Sequence, residues 1–154
     1  AITGRTTEML AALHVFLDHP ILGVGPGQYN KFYSVKYQTN PDIAFRYLNY
    51  PRRAHSIYTE IPAELGILGF IVFMAIGFVN LHQLWLIRVQ TLHYYPEIAN
   101  LSSAFLMGIA AYFMTAIFLH FSYQRYYWLL LAISGAAIQI FKKELDNNTA
   151  NPEP

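Results

Sequence analysis

Five side chains in the first 60 residues have the chemistry to handle a phosphate-bearing substrate: Arg5, Arg46, Arg52, Arg53 and His55. Guanidinium groups clasp a diphosphate through paired, charge-assisted hydrogen bonds, and imidazole accepts a proton near neutrality. Each also has a plainer reading, since loop arginines are commonly just solvated and single histidines commonly structural. Two carboxylates, Glu60 and Glu64, follow one helical turn apart and suggest a glycosidase-like acid and base. Their place at the start of a long apolar run is explained more simply by the helix dipole. No histidine pair has zinc spacing, and neither glutamate has a histidine four residues away, so neither a metal nor another cofactor is expected. The glycine-rich phrase GVGPG lacks the lysine and the serine or threonine of a phosphate-binding loop. Gly23, Gly25 and Gly27 around Pro26 therefore predict a tight turn that uses the positive φ open to glycine.

These residues need elements to position them, and composition sets the class. The 154 residues are 55% hydrophobic and 12% charged, with a formal net charge of +1 and no cysteine. So low a charge content excludes an ordinary soluble domain, the charge balance and pattern do not suggest a nucleic-acid binder, and no disulfide or thiolate site is possible. The expectation is an all-α, polytopic membrane protein with a mostly helical extracytoplasmic loop over residues 1–60. Within that loop Thr6 or Thr7 caps a helix with Glu8 in its first turn and Met9, Leu10, Leu13, Phe16 and Leu17 on a 3.6-residue period. That apolar face needs a partner: a local core, the bilayer interface or further spans.

Three transmembrane helices are expected within residues 61–141, at about 65–87, 101–120 and 126–141, the last reaching spanning length only with Tyr126 and Tyr127 as interfacial anchors. Small residues of the second span, among them Ser102, Ser103 and Gly108, suit close helix packing in lipid. Asn80, His82 and Gln83 near the end of the first read as packing or snorkelling groups. Arg88, Lys142 and Lys143 outweigh Arg125 in the short loops, which puts residues 142–154 in the cytoplasm as a tail, with its DNNTANPEP end polar and disordered, and residues 1–60 outside. A chain that opens in a polar segment, with neither methionine nor a signal peptide, reads as part of something longer.

Two phrases carry a family resemblance. One is HPILGVGPGQY, His19 to Tyr29; the other is His55, Ser56, nine residues, Gly66, two residues and Gly69. In that order, ahead of a membrane span, they resemble the carboxy-terminal part of the O-antigen ligase and O-antigen polymerase superfamily. The resemblance implies a glycosyltransferase of the bacterial inner membrane in surface polysaccharide or lipopolysaccharide synthesis. It would use a polyprenyl-diphosphate-linked glycan, such as an undecaprenyl diphosphate, without metal or cofactor. The acceptor would be lipid A core, another glycan or a protein hydroxyl, and the active face would be periplasmic. By its place in GRTTEML, Arg5 matches the family's diphosphate-binding arginine, and His55 matches its loop histidine, the candidate catalytic base. A further family arginine is expected upstream. Arg46, Arg52 and Arg53 fall on no family motif and stay candidates by charge and position alone.

The histidine pattern leans toward a ligase, with polymerase and protein O-glycosylation as alternatives in the same superfamily. From other classes, a transporter or channel fragment would concentrate polar residues inside the spans, where few are found. A non-catalytic glycolipid-binding protein would tolerate loss of His55.

Overall fold

The computed structural model describes residues 2–41, 50–118 and 125–150, and among them every regular element is helical. Helix α1 runs Ile2–Asp18; a π-helical turn, Tyr29–Tyr33, leads into the short α2, Ser34–Gln38; then come α3, Ile57–Thr91, α4, Pro96–Thr115, and α5, Arg125–Ala150. The chain divides into two compact units, Ala1–Met74 with Met114–Tyr123, and Ala75–Phe113 with Gln124–Pro154.

In the first unit α1 begins earlier than its threonines suggest, so Thr6, Thr7 and Glu8 lie inside the helix, not at its cap or first turn. Its buried stripe is Thr7, Glu8, Ala11, Ala12 and Val15, spaced i, i+1, i+4, i+5, i+8. Small residues on this stripe let α1 approach Tyr29, Tyr37, Ala54 and Ala63, with which Ala11, Ala12 and Val15 form the core. Larger apolar side chains of α1 face away: Leu13 is 42% and Leu17 60% exposed. The predicted need for a partner is real, and the local core does not meet it.

Helix α3 breaks at Gly66, whose φ of 65° and ψ of −170° are non-helical. An α-helix satisfies its own backbone, so a break releases donors and acceptors that need partners elsewhere. The glycine-rich turn supplies them. Val24 N–H donates to the Ala63 carbonyl (3.0 Å), Gly25 N–H to the Glu64 carbonyl (2.8 Å), and Ile67 N–H to the Pro20 carbonyl (2.8 Å). Gly23, Gly25 and Gly27 have φ of 65°, 101° and 70°, as the turn prediction requires. A Cβ on Gly66 would collide with the Ile21 carbonyl, and one on Gly23 with the Glu64 backbone. Gly69 keeps ordinary helical backbone, but a Cβ there would strike Leu65. The two phrases, some 40 residues apart in sequence, thus lock into one backbone-paired junction.

In the second unit Ser134 donates to Asn80 Oδ1 (3.0 Å), Arg88 Nε to Ser103 Oγ (2.9 Å), and Tyr112 stacks on Tyr127 with centroids 4.6 Å apart. Asn80 is therefore a packing residue. Among the described residues α3 and α4 are long and apolar enough to cross a membrane. The residues of the third expected span lie in α5, which is not among the helices that are apolar enough to cross a membrane among the described residues, and which continues past Lys142 and Lys143 to Ala150, into the stretch from Asp146 onward that was expected to be disordered. Glu144, directly after the lysine pair, lies within that helix.

Candidate functional site

His55 stands at the end of the extended stretch that enters α3, and it is the described non-glycine residue with positive φ, 52°. Left-handed backbone is costly for a side chain with a Cβ and persists where surrounding contacts enforce it. Those contacts flank it on both sides. Ala54 and Ser56 are buried, Arg52 N–H donates to Ser34 Oγ (3.3 Å), and Ile57 N–H donates to the Ala116 carbonyl (3.1 Å).

Beneath this stretch lies Glu8. Its side chain is 0% exposed and meets two cationic or basic groups: Arg52 Nη1 stands 2.9 Å from Oε1, and His55 Nε2 stands 3.4 Å from Oε2. A buried carboxylate needs such compensation, because an uncompensated charge in the interior costs several kcal/mol. The Glu8 carboxylate, by its hydrogen bond first, holds the Arg52 guanidinium above its ordinary value. Arg52 also lies over the Tyr50 ring, 4.9 Å from its centroid. Arg53 faces the buried Glu60, Nη1 to Oε1 3.8 Å. Each arginine thus spans from a buried acid to the surface, with 38% of its side chain exposed.

Glu60 sits in the first turn of α3, as the dipole argument expects, whereas Glu64 is drawn inward and accepts the Gly27 N–H at 2.8 Å. That bond ties the glycine-rich turn to the acidic cluster. Tyr29, also buried, donates its hydroxyl to the Glu8 backbone carbonyl at 3.0 Å. Burial first, then the negative charges of Glu60, Glu8 and Glu64, pushes the Tyr29 phenol well up, against a lowering hydrogen bond from Gln38. Among the described residues no group of three or more acids and histidines is arranged to hold a metal.

The predicted site residues are brought together unevenly. Arg5 is exposed on α1, three residues before the buried Glu8 that touches His55. Arg52 and Arg53 are committed to ion pairs with Glu8 and Glu60. Arg46 lies outside the described residues. Sequence reasoning missed the role of Glu8. The signal was its setting among Thr7, Ala11, Ala12 and Val15, a small-residue stripe on which an acid is out of place.

Comparison with known families finds that residues 1–74 match the family model described as O-antigen ligase. That segment contains the glycine-rich turn, the acidic cluster, His55 and the Gly66 break. Comparisons with curated proteins and with solved structures gave no match.

Proposed function

Taking the chain, through residues 1–74, as a member of the O-antigen ligase superfamily of membrane glycan biosynthesis, we propose that it transfers a glycan from a polyprenyl-diphosphate donor to an acceptor hydroxyl. The observation that carries this reading is His55: a part-exposed imidazole, 27% accessible, held at positive φ against a buried carboxylate, in the segment that matches the family. A strained, polar and accessible residue supported by buried charge fits a reactive group better than a packing one.

In the proposed step the acceptor oxygen attacks the anomeric carbon of the donor glycan. Its proton passes to neutral His55 as the new carbon–oxygen bond forms. The bond from the anomeric carbon to the diphosphate oxygen breaks, and its electron pair leaves with the lipid diphosphate. The Arg5 guanidinium meets the negative charge growing on that leaving group. The products are the glycosylated acceptor, the free lipid diphosphate and a proton returned to water from His55. The reading places residues 1–60 on the periplasmic face of the inner membrane, where the lipid-linked donor and the acceptor meet. The ligase-type spacing from His55 to Gly69 favours lipid A core or a protein hydroxyl as acceptor.

The test is transfer by the membrane-embedded protein from a polyprenyl-diphosphate glycan, with product glycan and released lipid diphosphate both quantified. His55→Ala is expected to lower the rate about a hundredfold or more, the usual contribution of a general base. Arg5→Ala is expected to lower it about as much, as does removing one donor to a developing anion. Wild-type turnover by His55→Ala at equal membrane abundance would refute the reading.

A further inference from the structure

Resting on the transfer reading, we propose that Glu8 is a positioning residue for His55: its buried carboxylate holds the imidazole by its charge and steadies the imidazolium that forms, and Arg52 closes the other side of the same carboxylate. The geometry is that of an acid, base and counter-cation in one line of contacts. Glu8 Oε2 lies 3.4 Å from His55 Nε2 while Oε1 takes the Arg52 guanidinium at 2.9 Å.

An ionised carboxylate only accepts hydrogen bonds. A hydrogen on Nε2, the ring nitrogen that faces Glu8, is therefore the arrangement the carboxylate favours. Once the acceptor's proton arrives the imidazolium lies beside a fixed negative charge, so the protonated intermediate is stabilised where it forms. At 3.4 Å the two groups are within ion-pair distance while Glu8 Oε2 makes no hydrogen bond among the described residues, so the contact is one of charge that can tighten around bound substrate.

The neighbours of Glu8 support this division of labour. Arg52 offsets the charge of the carboxylate from the exposed side. The Tyr29 hydroxyl binds the Glu8 carbonyl and leaves the carboxylate oxygens to Arg52 and His55. Glu60 is paired with Arg53 rather than with Glu8 or His55. A carboxylate needed only to anchor Arg52 would not need to be completely buried with its second oxygen turned to the left-handed His55. The positive φ at His55 aims the ring, and Glu8 is what it is aimed at.

A double-mutant cycle on the membrane-embedded protein separates positioning from scaffolding. Glu8→Gln keeps the shape and removes the acceptor-only character; it is expected to lower kcat about a hundredfold with the donor KM unchanged. Glu8→Asp keeps the charge and should stay within about tenfold of wild type. In a His55→Ala background Glu8→Gln should cost nothing further, because the residue acts only through the imidazole. Rates are taken per molecule of folded protein in the membrane, so a loss of abundance cannot imitate the effect. Equal fold-losses from Glu8→Gln with and without His55 would overturn the inference, as would wild-type kcat in Glu8→Gln while His55→Ala is inactive. Full activity of His55→Ala would instead sink the transfer reading itself, and the two failures are thereby distinct.

Discussion

Replacing Gly66 with alanine should disconnect the loop from the membrane helix. The backbone there, φ 65° and ψ −170°, belongs to a region used almost solely by glycine, and forcing another residue into it costs about 1–3 kcal/mol. The new methyl group would also collide with the Ile21 carbonyl, so the chain from Pro20 to Gly25 must shift. That shift endangers the bonds from Ile67 to Pro20, Val24 to Ala63 and Gly25 to Glu64. Losing two of them at about 0.5–1.5 kcal/mol each brings the total to about 2–6 kcal/mol, a large fraction of what holds a unit of this size together. Gly108→Ala is the matched control, since its Cβ would meet only Leu130 at 3.9 Å on ordinary helical backbone. The assay is thermal unfolding of the detergent-solubilised protein, with limited proteolysis reporting the loop. Gly66→Ala should lower the midpoint by several degrees and open the glycine-rich turn to cleavage, while Gly108→Ala does neither. Indistinguishable midpoints for the two variants would refute the argument that this junction is held by backbone pairing.

Three further outcomes follow from particular contacts. Tyr37, whose phenol is pushed up to about 12 by burial and then by its hydrogen bond to Asp18, stays neutral in the folded protein where the unfolded chain ionises from 10.0 upward. Its contribution is intact below pH 10 and is lost as pH rises through about 12, so unfolding monitored by tyrosinate absorbance should steepen across that window, and Tyr37→Phe should blunt it. Gly27→Ala meets open space but inherits a φ of 70°, so it should cost about 1 kcal/mol, clearly less than Gly66→Ala in the same unfolding assay. Ser134→Ala removes the donor to Asn80 and should cost about 0.6 kcal/mol, the usual worth of a polar contact between membrane helices; Asn80→Leu paired with it should recover most of that loss.

Much of this was legible in sequence because the signals were local. Apolar runs gave the helices that became α3 and α4, and three glycines around one proline gave a turn with positive φ. Arg5 and His55 were found through motifs, but motifs say nothing of distance. What was hidden depended on burial. The periodicity of Met9, Leu10, Leu13, Phe16 and Leu17 points to an apolar face, and the structure turns much of that face outward, because the small residues opposite permit a closer approach to the core. Glu8 was obscured for the same reason: hydropathy assigns an acid to the water side, and only the packing of Ala11 and Ala12 shows that it lies inside. The run to Ala150 was missed because polar composition was taken for disorder, although α5 continues there as helix.

The strain at His55 and the break at Gly66 belong to one design. Between them lie ten residues, of which Ile57 to Leu65 form the start of α3, and its two ends are fixed by different means. At Gly66 the fixing is backbone pairing to the glycine-rich turn; at His55 it is charge, through Glu8 and Arg52, together with the Ile57 N–H bond to Ala116. Gly27 N–H to Glu64 couples the first arrangement to the acidic cluster. A left-handed residue costs about 1–3 kcal/mol and relaxes unless both neighbours are held. The spacing from His55 to Gly66 is then a mechanical requirement: inserting or deleting one residue between Ile57 and Glu64 would rotate Glu64 away from Gly27 by about 100° of helix and release the turn, whatever the chemistry at His55.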